Sequence, residues 1–484
     1  MRIKDHPIID FKDKKKISFY YNNKKLSGLK GDTIASALHV NGVTTLSHSL
    51  RYYRPRGFFC GIGKCSSCFM TVENIPNVRT CITPLEEDIK VYEQDRVGEI
   101  PDKKFFNKNR KKIDEDVVIV GSGPAGLMAA ITAAKQEVPS ILLVDENHLF
   151  GGQLIKQSHK FFGSEEEKAG TRGIDLAIEL MEQVNSFKNI KSMLETTIIG
   201  CYNGKNNHKL IAVKRLTKGD QLYEINCKSV IFACGAMENM LAFPGNDLPG
   251  VYGAGGVQTL MNVYGVKPGK EVLMIGAGNV GLIVSYQLLQ AGVSVNRVVE
   301  ILPKIGGYNV HAAKLRRCGV PIFTSHSIKE VYGKGKVEGA TVVAVNNSFK
   351  EIPGTEENVT CDTVCIAVGL TPSIRLLEQI GAKTEYIAEA GGHVAIHDSS
   401  MQTTVKGVFV AGDSSGIEEA STAMIEGQLA GISAALLLGY DKEAGKLKKK
   451  FRKALDGFRS GPFGLKPKTC KEKIACCWDG GINY

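Results

Sequence analysis

The sequence has few of the features that mark membrane-bound or secreted proteins. It contains a single tryptophan and 16 prolines among 484 residues, and none of its apolar runs has the length of a membrane-spanning helix. Its first segment, MRIKDHPIIDFKDKKK, lacks the apolar core of a signal peptide. These absences argue against a membrane span and against secretion, and we expect a cytoplasmic protein.

The composition instead favours ordinary α/β domains. Glycine is abundant, at 53 residues, and supplies tight turns. Apolar residues make up 43% of the chain, enough for a core in each of the two to four domains that its length suggests. The net charge of +11 is spread along the chain. Since no nucleic-acid-reading motif accompanies this charge, a solvated surface is favoured, ahead of an acidic protein partner.

Four of the thirteen cysteines lie close together near the amino terminus. Cys60, Cys65 and Cys68 follow the spacing C-x4-C-x2-C, and Cys81 comes after twelve more residues. Four thiolates hold a [2Fe–2S] cluster, and this three-cysteine loop is typical of plant-type ferredoxins. Zinc sites usually combine paired C-x2-C motifs. The spacing therefore favours a [2Fe–2S] cluster over zinc or free thiols.

Residues 116–147 have the pattern strand, glycine turn, helix, strand of a nucleotide-binding unit. In such a G-x-G-x-x-G loop the first glycine permits the turn, the second lets a pyrophosphate approach, and the third lets the helix pack on the strand. Asp145 ends the second strand, where a carboxylate binds the ribose hydroxyls, and Glu146 follows it. The predicted cofactor contacts of this unit are Gly121, Gly123, Pro124, Ala125, Gly126, Asp145 and Glu146.

A later strand, 405–415, ends in Gly-Asp and precedes another helix. In two-dinucleotide flavoproteins such a strand returns to the first nucleotide domain, and its aspartate meets the ribityl chain of the flavin. Segments 229–236 and 363–372 match the strands that leave and re-enter the flavin domain. Together these segments predict FAD, rather than a Rossmann enzyme with one unrelated cofactor. The additional predicted flavin contacts are Gly235, Gly412 and Asp413.

The same strand, turn, helix and strand return at residues 271–301. Glu300 stands nineteen positions after the third glycine of this second loop. A carboxylate there accepts hydrogen bonds from a free 2′-hydroxyl and repels a 2′-phosphate, which favours NAD(H) over NADP(H). A domain that keeps the fold without turning over a nucleotide is the alternative. The predicted contacts are Gly276, Gly278, Asn279, Val280, Gly281 and Glu300.

The order of these parts resembles the α subunits of heteromeric amino-acid dehydrogenases and oxidases. That group includes proline and hydroxyproline dehydrogenases, opine oxidases, the cyanide-forming glycine dehydrogenase and the amino-terminal half of the sarcosine oxidase α subunit. The resemblance rests on SHSLRYYRPRGFFCGIGKCSSCFMTVENIPNVRTC, GSGPAGLMAA, DENHLFGGQL and LPGVYGAGGVQTLMN, and it extends over about residues 17–440. It implies that Gly152 and Gln153 lie beside the FAD. It also implies a β subunit that carries its own FAD and oxidises the amino acid, with FMN at the subunit interface in some complexes.

The sequence departs from this group at its carboxy terminus. Several relatives carry a second cysteine-rich cluster domain, whereas the tail here offers only Cys470, Cys476 and Cys477, so we expect no second cluster. Sarcosine oxidase lacks the amino-terminal cluster cysteines, so the dehydrogenase members are the closer match.

The predicted fold class is α/β: a two-dinucleotide-binding-domain flavoprotein, with a NAD domain inserted into the FAD domain, preceded by a small ferredoxin-like β-grasp [2Fe–2S] domain. The predicted segments are 1–100 for the ferredoxin-like domain, 101–115 for a basic linker, 116–243 and 356–440 for the two parts of the FAD domain, 244–355 for the NAD domain, and 441–484 for a basic helix and tail.

These parts predict an electron-transfer subunit that moves electrons between NAD(H), FAD and the cluster. A flavin exchanges electrons in pairs with a nicotinamide and singly with a cluster, which explains the combination. A stand-alone NADH:acceptor oxidoreductase and an electron relay with a silent nicotinamide site are the alternatives. Disulfide reduction is disfavoured, because it needs a C-x-x-C pair just before the second glycine loop and residues 250–275 contain no cysteine. No residue is identifiable as a general acid or base.

Overall fold

The computed structural model describes residues 1–11, 14–95, 97–99, 110–161, 168–205, 207–215 and 220–479. The chain forms two compact units, each assembled from segments that are far apart in the sequence. The first unit joins Met1–Asp102 to Glu238–Gly369, and the second joins Lys103–Met237 to Leu370–Tyr484.

The strands of the described residues are β1 (Lys16–Tyr21), β2 (Lys24–Leu29), β3 (Ser47–His48), β4 (Pro55–Arg56), β5 (Phe69–Val72), β6 (Ile75–Arg79), β7 (Lys90–Tyr92), β8 (Arg110–Val120), β9 (Ile141–Val144), β10 (Ile190–Met193), β11 (Thr196–Tyr202), β12 (His208–Lys214), β13 (Gln221–Phe232), β14 (Ala236–Glu238), β15 (Val251–Gly253), β16 (Glu271–Ile275), β17 (Ser294–Glu300), β18 (Ile322–Thr324), β19 (His326–Tyr332), β20 (Gly339–Ala344), β21 (Glu357–Val359), β22 (Thr363–Ile366), β23 (Leu370–Pro372), β24 (Thr384–Ile387), β25 (Gly392–Ala395) and β26 (Val408–Val410). The α-helices are α1 (Ile34–Val40), α2 (Pro124–Lys135), α3 (Gly173–Ser186), α4 (Ala254–Gln258), α5 (Asn279–Gln290), α6 (Asn309–Arg317), α7 (Arg375–Gln379), α8 (Ala420–Leu437), α9 (Ala444–Phe458) and α10 (Gly461–Asp479). A π-helical turn, Thr259–Val263, continues α4, and 3-10 turns span Gly152–Lys156, Ala388–Ala390 and Gly412–Ser415.

The amino-terminal part of the first unit is a small mixed sheet with one helix. The strand order is β2-β1-β7-β5-β6, with β1 parallel to β7. The hairpin between β1 and β2 turns at Asn22 and Asn23, which both have positive φ. Helix α1 begins after Thr33, whose hydroxyl accepts a hydrogen bond from the Ser36 amide. A mixed sheet with one helix agrees with the predicted ferredoxin-like domain.

The second part of the first unit is a parallel five-stranded sheet in the order β15-β22-β16-β17-β18. An antiparallel sheet, β19-β20-β21, is appended to it. One hydrophobic core runs through both parts of this unit and includes Phe19, Leu38 and Phe58 from the first part and Tyr252 and Met261 from the second. The ferredoxin-like part and the inserted nucleotide-binding part are therefore packed as a single body.

The second unit is built on a sheet with the order β10-β9-β8-β13-β12-β11, to which β26 adds beside β13. Strands β8, β9, β10, β13 and β26 are parallel, and β12 and β11 extend the sheet in antiparallel fashion. Helices α2, α3 and α8 contribute to one buried core, and residues of β10 to β13 contribute to another. The parallel strands therefore end at one edge of the sheet, where the glycine turns that follow β8 and β26 lie.

Three predicted boundaries differ from the structure. Residues 110–115, predicted as linker, are the start of β8, because they pair with Leu222–Cys227 of β13; residues 101–109 lie outside the described residues. Strand β22, predicted in the second part of the FAD domain, pairs with β15 and β16 in the nucleotide sheet of the first unit. The predicted tail is the helix α10, because Cys470 and Ile474 pack into a small core of this unit.

Candidate functional site

The four cysteines of the predicted cluster come together in the first unit. Cys60, Cys65 and Cys68 lie in the loop before β5, and Cys81 follows β6. The Thr80 hydroxyl and amide both donate to the Cys68 carbonyl, at 2.7 and 3.3 Å, which holds the two cysteine segments together. Three of the thiols are buried, and Cys65 is partly exposed. The fold therefore shields three of the four cysteines from solvent.

The four thiols interact as one connected group, in which Cys60 contacts Cys65 and Cys81, and Cys81 also contacts Cys68. A hydrogen bond with Cys65 is the main cause that lowers the pKa of Cys60 well below its usual value. A hydrogen bond with Cys81 likewise lowers the pKa of Cys68. Among the described residues, no three His, Cys, Asp or Glu side chains are grouped to hold a metal ion. A [2Fe–2S] centre takes four thiolates in all, and the contacts among these four side chains hold that number of thiols together.

Glycines shape the cluster loop and its support. Gly61 and Gly63 have φ of 64° and 74°, in the left-handed region where glycine is favoured. A Cβ on Gly256 of α4 would lie 2.0 Å from the Phe59 carbonyl oxygen. The Gly253 amide donates to the same oxygen at 3.2 Å. The segment just before the second glycine loop, where a disulfide reductase would carry its cysteines, therefore supports the cysteine loop instead.

The first glycine loop joins β8 to α2 in the second unit. Gly121 has φ of 106°, and a Cβ on it would lie 2.3 Å from the Ala233 carbonyl oxygen. A Cβ on Gly126 would lie 1.8 Å from the Gly121 oxygen, so only glycine allows the helix to sit this close. Gly123 caps α2, with Pro124 at its first position and Ala125 buried behind it. The first amides of α2 are thus directed at the open end of the loop, where a phosphate binds favourably.

Asp145 stands at the end of β9 and ties the loop in place. Its Oδ2 accepts hydrogen bonds from the Ser122 amide and hydroxyl, at 2.6 and 2.7 Å, and its Oδ1 accepts from the Asn147 amide. Glu146 is next to it and half-buried. A Cβ on Gly152 would lie 2.7 Å from the Gly123 Cα, so the turn that begins with Gly152 and Gln153 runs against the glycine loop.

A third turn reaches the same edge of this sheet. Gly412 has φ of 69° and follows β26, and a Cβ on it would lie 3.0 Å from the Ala125 Cβ. The Ser414 hydroxyl donates to the Gly235 carbonyl at 3.1 Å. Asp413 keeps some solvent contact but is densely surrounded, and desolvation raises its pKa to about 7. The predicted FAD contacts after β8, β9, β13 and β26 thus converge at one edge.

The second glycine loop, in the first unit, repeats the construction of the first. Gly276 has φ of 104°, with a Cβ position 2.3 Å from the Ala367 carbonyl oxygen, and the Cβ position of Gly281 is 2.0 Å from the Gly276 oxygen. Glu300 accepts hydrogen bonds from the Ala277 amide at 2.7 Å and the Leu302 amide at 3.0 Å. The carboxylate therefore holds the middle of the loop, as Asp145 does in the other unit.

The start of α5 has open space beside its first residues. Gly278 caps the helix, and a Cβ on it would meet no atom within 4 Å. Asn279 accepts a hydrogen bond from the Tyr308 amide, and Val280 is 43% exposed. Arg297 is engaged elsewhere, since its guanidinium donates to both carboxylate oxygens of Glu357 at 2.7 and 2.8 Å. Arg297 precedes Glu300 on the same strand, and its pairing leaves it less able to bind a 2′-phosphate.

Comparison with known families settles what kind of protein this is. The family described as "Pyridine nucleotide-disulphide oxidoreductase" matches residues 115–427, well over half of the sequence. The chain belongs to this family. A second family, "2Fe-2S iron-sulfur cluster binding domain", matches residues 14–96. The predicted fold class, FAD and the [2Fe–2S] cluster are confirmed, and the protein is a flavin oxidoreductase.

Individual relatives confirm the predicted resemblance to α subunits. The sarcosine oxidase alpha subunit from Rhizobium meliloti (strain 1021) is 27% identical over 459 residues, covering 82% of this chain and 43% of that protein. The HcnB subunit of hydrogen cyanide synthase from Pseudomonas protegens is 25% identical over 338 residues, covering 66% and 70%. An opine oxidase subunit from Agrobacterium tumefaciens (strain Ach5) is 24% identical over 332 residues, covering 66% and 65%. The chain spans less than half the length of the sarcosine oxidase subunits it matches.

Solved structures show the same fold. L-proline dehydrogenase from P. horikoshii superposes with a TM-score of 0.68 at 24% identity, covering 93% of this chain and 79% of that one. Thioredoxin reductase from T. acidophilum gives 0.54 at 23% identity, covering 66% and 97%. No helix in the described part of this flavoprotein combines the length and apolar character needed to cross a bilayer.

Several residues at the flavin edge escape prediction from sequence motifs. Glu426 accepts hydrogen bonds from the Gly412 amide and the Ser415 hydroxyl, and it pairs with Arg459 and Lys471. A signal for the first of them exists, since Glu426 is the only charged residue of the otherwise uncharged helix α8. The two cations lie in or next to the helices that follow the flavin domain, where no motif marks them.

Proposed function

We propose that the protein is the FAD- and [2Fe–2S]-carrying electron-transfer subunit of a heteromeric amino-acid dehydrogenase or oxidase. The observation that carries this proposal is the presence, in one chain, of two glycine loops of like construction and four thiols that contact one another. Relatives named as subunits of sarcosine oxidase, opine oxidase and hydrogen cyanide synthase support the enzyme class. The amino acid is of the proline, hydroxyproline, sarcosine or opine type.

In this proposal the second unit holds the FAD. The pyrophosphate lies at the start of α2, where the amides after Gly123 and the positive end of the helix dipole face it. Asp145, with Glu146 beside it, binds the adenosine ribose, and Asp413 binds the ribityl chain. The remaining contacts are Gly121, Pro124, Ala125, Gly126, Gly152, Gln153, Gly235 and Gly412.

The first unit holds NAD(H) in the same manner. Gly278 leaves room for the pyrophosphate, and Asn279, Val280 and Gly281 continue the helix that faces it. Glu300 accepts from the ribose hydroxyls with the lone pairs that Ala277 and Leu302 leave free. Its charge, together with the pairing of Arg297 to Glu357, supports NAD(H) over NADP(H).

Cys60, Cys65, Cys68 and Cys81 hold the cluster. When bound, the flavin supplies two-electron and one-electron exchange, and the cluster supplies one-electron transfer. The chain contributes burial of three of the four thiols and leaves Cys65 as the partly exposed edge. With the three cofactors bound, electrons would pass between NAD(H), FAD and the cluster, and we assign no residue as a general acid or base.

In this proposal the partner is a β subunit that carries its own FAD and oxidises the amino acid, so the protein works in a hetero-oligomer. FMN at the subunit interface, which some complexes of this group carry, would be a further cofactor. The subunit names of the relatives support this assignment. A stand-alone NADH:acceptor oxidoreductase would use the same sites. It is distinguished by full turnover of NADH with an artificial acceptor and by the lack of a copurifying flavoprotein.

The test is an anaerobic visible spectrum of the purified chain before and after NADH is added. Flavin bands and a broad cluster shoulder that both bleach would support the whole route. Bands that stay unchanged with NADH, but bleach with dithionite, would refute the NADH route and leave an electron relay with a silent nicotinamide site. Absence of flavin bands after reconstitution with FAD would refute the proposed function.

A further inference from the structure

A buried group of four charged side chains lies directly behind the flavin turn of the second unit. Glu426 of α8 and Glu418 have side chains that are 3% and 6% exposed, and Lys471 of α10 and Arg459 have side chains that are 13% and 14% exposed. The group holds two carboxylates and two cations, so its formal charge is zero. Charges this deeply buried are stable only when they are paired and hydrogen-bonded.

Glu426 connects this group to the backbone of the Gly412–Ser415 turn. Its Oε2 accepts hydrogen bonds from the Gly412 amide at 3.0 Å and from the Ser415 hydroxyl at 2.6 Å. Its Oε1 accepts from Arg459 at 2.6 Å and lies 2.8 Å from the Lys471 Nζ. One oxygen therefore holds the turn, and the other is neutralised by cations from the carboxy-terminal segment.

Lys471 also contacts the turn itself. Its Nζ donates to the Ser415 carbonyl oxygen and to the Ser415 hydroxyl oxygen, each at 2.8 Å. Arg459 completes the arrangement by donating to both carboxylate oxygens of Glu418, at 2.9 and 3.2 Å. The turn that carries Asp413 is thus fastened at both ends by side chains that reach it from outside the flavin sheet.

These two cations come from the carboxy-terminal segment of the chain, which the family match does not include. That match ends at residue 427, whereas Arg459 follows α9 and Lys471 lies in α10. Both helices are anchored in the same unit by apolar contacts, α9 through Leu455 and α10 through Cys470 and Ile474. Without them, Glu418 and Glu426 would stay buried without a cation, close to the Asp413 carboxyl.

We propose that the two carboxy-terminal helices complete the flavin site, with Lys471 and Arg459 as positioning residues for the Gly412–Ser415 turn. This inference rests on the proposed placement of the FAD at Asp413. Without the Lys471 charge, Arg459 is the cation that remains for the two buried carboxylates, Glu426 and Glu418. Glu426 then shifts toward Arg459, and its hydrogen bonds to the Gly412–Ser415 turn weaken. The turn loses its fixed geometry, and the affinity for FAD falls.

The experiment compares the wild-type protein with K471M. It uses FAD titration of each apoprotein and thermal unfolding of the same apoprotein. We expect K471M to raise the FAD dissociation constant by about tenfold or more, since loss of a charge-assisted hydrogen bond commonly has this effect. K468M is the matched control, because Lys468 lies on the same helix and, within the described residues, its ion pair is an exposed one with Glu472. It should stay within about twofold of the wild type, and K471R should recover part of the affinity.

The two measurements separate positioning from simple stability. An unchanged FAD dissociation constant in K471M overturns the proposal, whether or not the apoprotein unfolds at a lower temperature. If K471M does not fold, E426Q/K471M takes its place, because it leaves no unpaired charge on Glu426. We expect its FAD dissociation constant to remain raised at least about threefold, since Ser415 has lost its ammonium partner, and a wild-type value overturns the proposal. Failure of the wild-type protein to bind FAD would instead refute the proposed function.

Discussion

Two glycines that face open space give a sharp test of the nucleotide sites. Gly123 and Gly278 occupy equivalent positions, with φ of −71° and −73° that any residue can adopt. The nearest atom to a Cβ on Gly123 is the Gly152 Cα, at 4.0 Å, and a Cβ on Gly278 has no neighbour within 4 Å. In the protein alone, alanine therefore fits at both positions. In the proposed complexes, the added methyl group stands where a pyrophosphate approaches the backbone.

The expected energies follow from this geometry. Gly→Ala at a compatible φ stabilises a protein by about 0.4–1 kcal/mol through the unfolded state, and this gain is offset because alanine is a distinctly poorer N-cap than glycine. The free energy of unfolding should thus change by no more than about 1 kcal/mol in either variant. Gly276→Ala is the contrasting case, because its φ is 104° and its Cβ would lie 2.3 Å from a carbonyl oxygen. The backbone conformation alone costs about 1–2 kcal/mol there.

Each variant should lose one nucleotide and keep the other. G278A should bind FAD normally, while its dissociation constant for NADH rises about tenfold or more, equal to about 1.4 kcal/mol. G123A should be purified with little FAD. The assays are urea unfolding of each apoprotein, flavin content, and anaerobic flavin bleaching at varied NADH. Wild-type NADH affinity in G278A would refute the assignment of the second loop, and full FAD content in G123A would refute that of the first.

Three further outcomes are expected. C65S should abolish the electron paramagnetic resonance signal of the reduced cluster, while C318S, at an exposed cysteine outside the cluster loop, leaves it intact; a signal that survives in C65S would contradict the ligand set. E300Q should raise the ratio of kcat/KM for NADPH over NADH about tenfold, because the repulsive charge is removed while an acceptor for the Ala277 amide remains; an unchanged ratio would refute the role of Glu300. Since desolvation raises the pKa of Asp413 to about 7, its protonated form stabilises the apoprotein, and this contribution is lost as the pH rises from about 4 through 7. D413N should flatten that part of the pH dependence of urea unfolding, and a slope equal to that of the wild type would show that Asp413 is not its source.

The motifs predicted well wherever a residue type is required by local geometry. A glycine is needed at Gly121 and Gly276 because of their positive φ and the nearby carbonyl oxygens. The cysteine spacing predicted that the four thiols would meet, and they do. Such requirements act over a few residues, so a short sequence window contains all the information.

Sheet membership was less predictable. Strand β22 is an apolar segment that ends near a glycine, like the last strand of either nucleotide domain. Only its pairing with β15 and β16 assigns it to the first unit. Likewise, the charged start of β8 looks like a linker in sequence, and its hydrogen bonds to β13 make it a strand. Pairing partners lie about 90 to 110 residues away, so local pattern does not identify them.

The sequence by itself predicted the chemistry of this protein, through two glycine loops, four thiols spaced for a cluster and the order in which they occur. Each depends on local backbone conformation or on the ligand preference of a side chain. The tertiary structure alone decided which distant segments support these sites. It packs the ferredoxin-like part and the inserted nucleotide part around one core, and it brings Arg459 and Lys471 to the buried Glu426 behind the flavin turn. Such contacts are selected by burial and charge pairing in the folded chain, and neither is visible before the chain has folded.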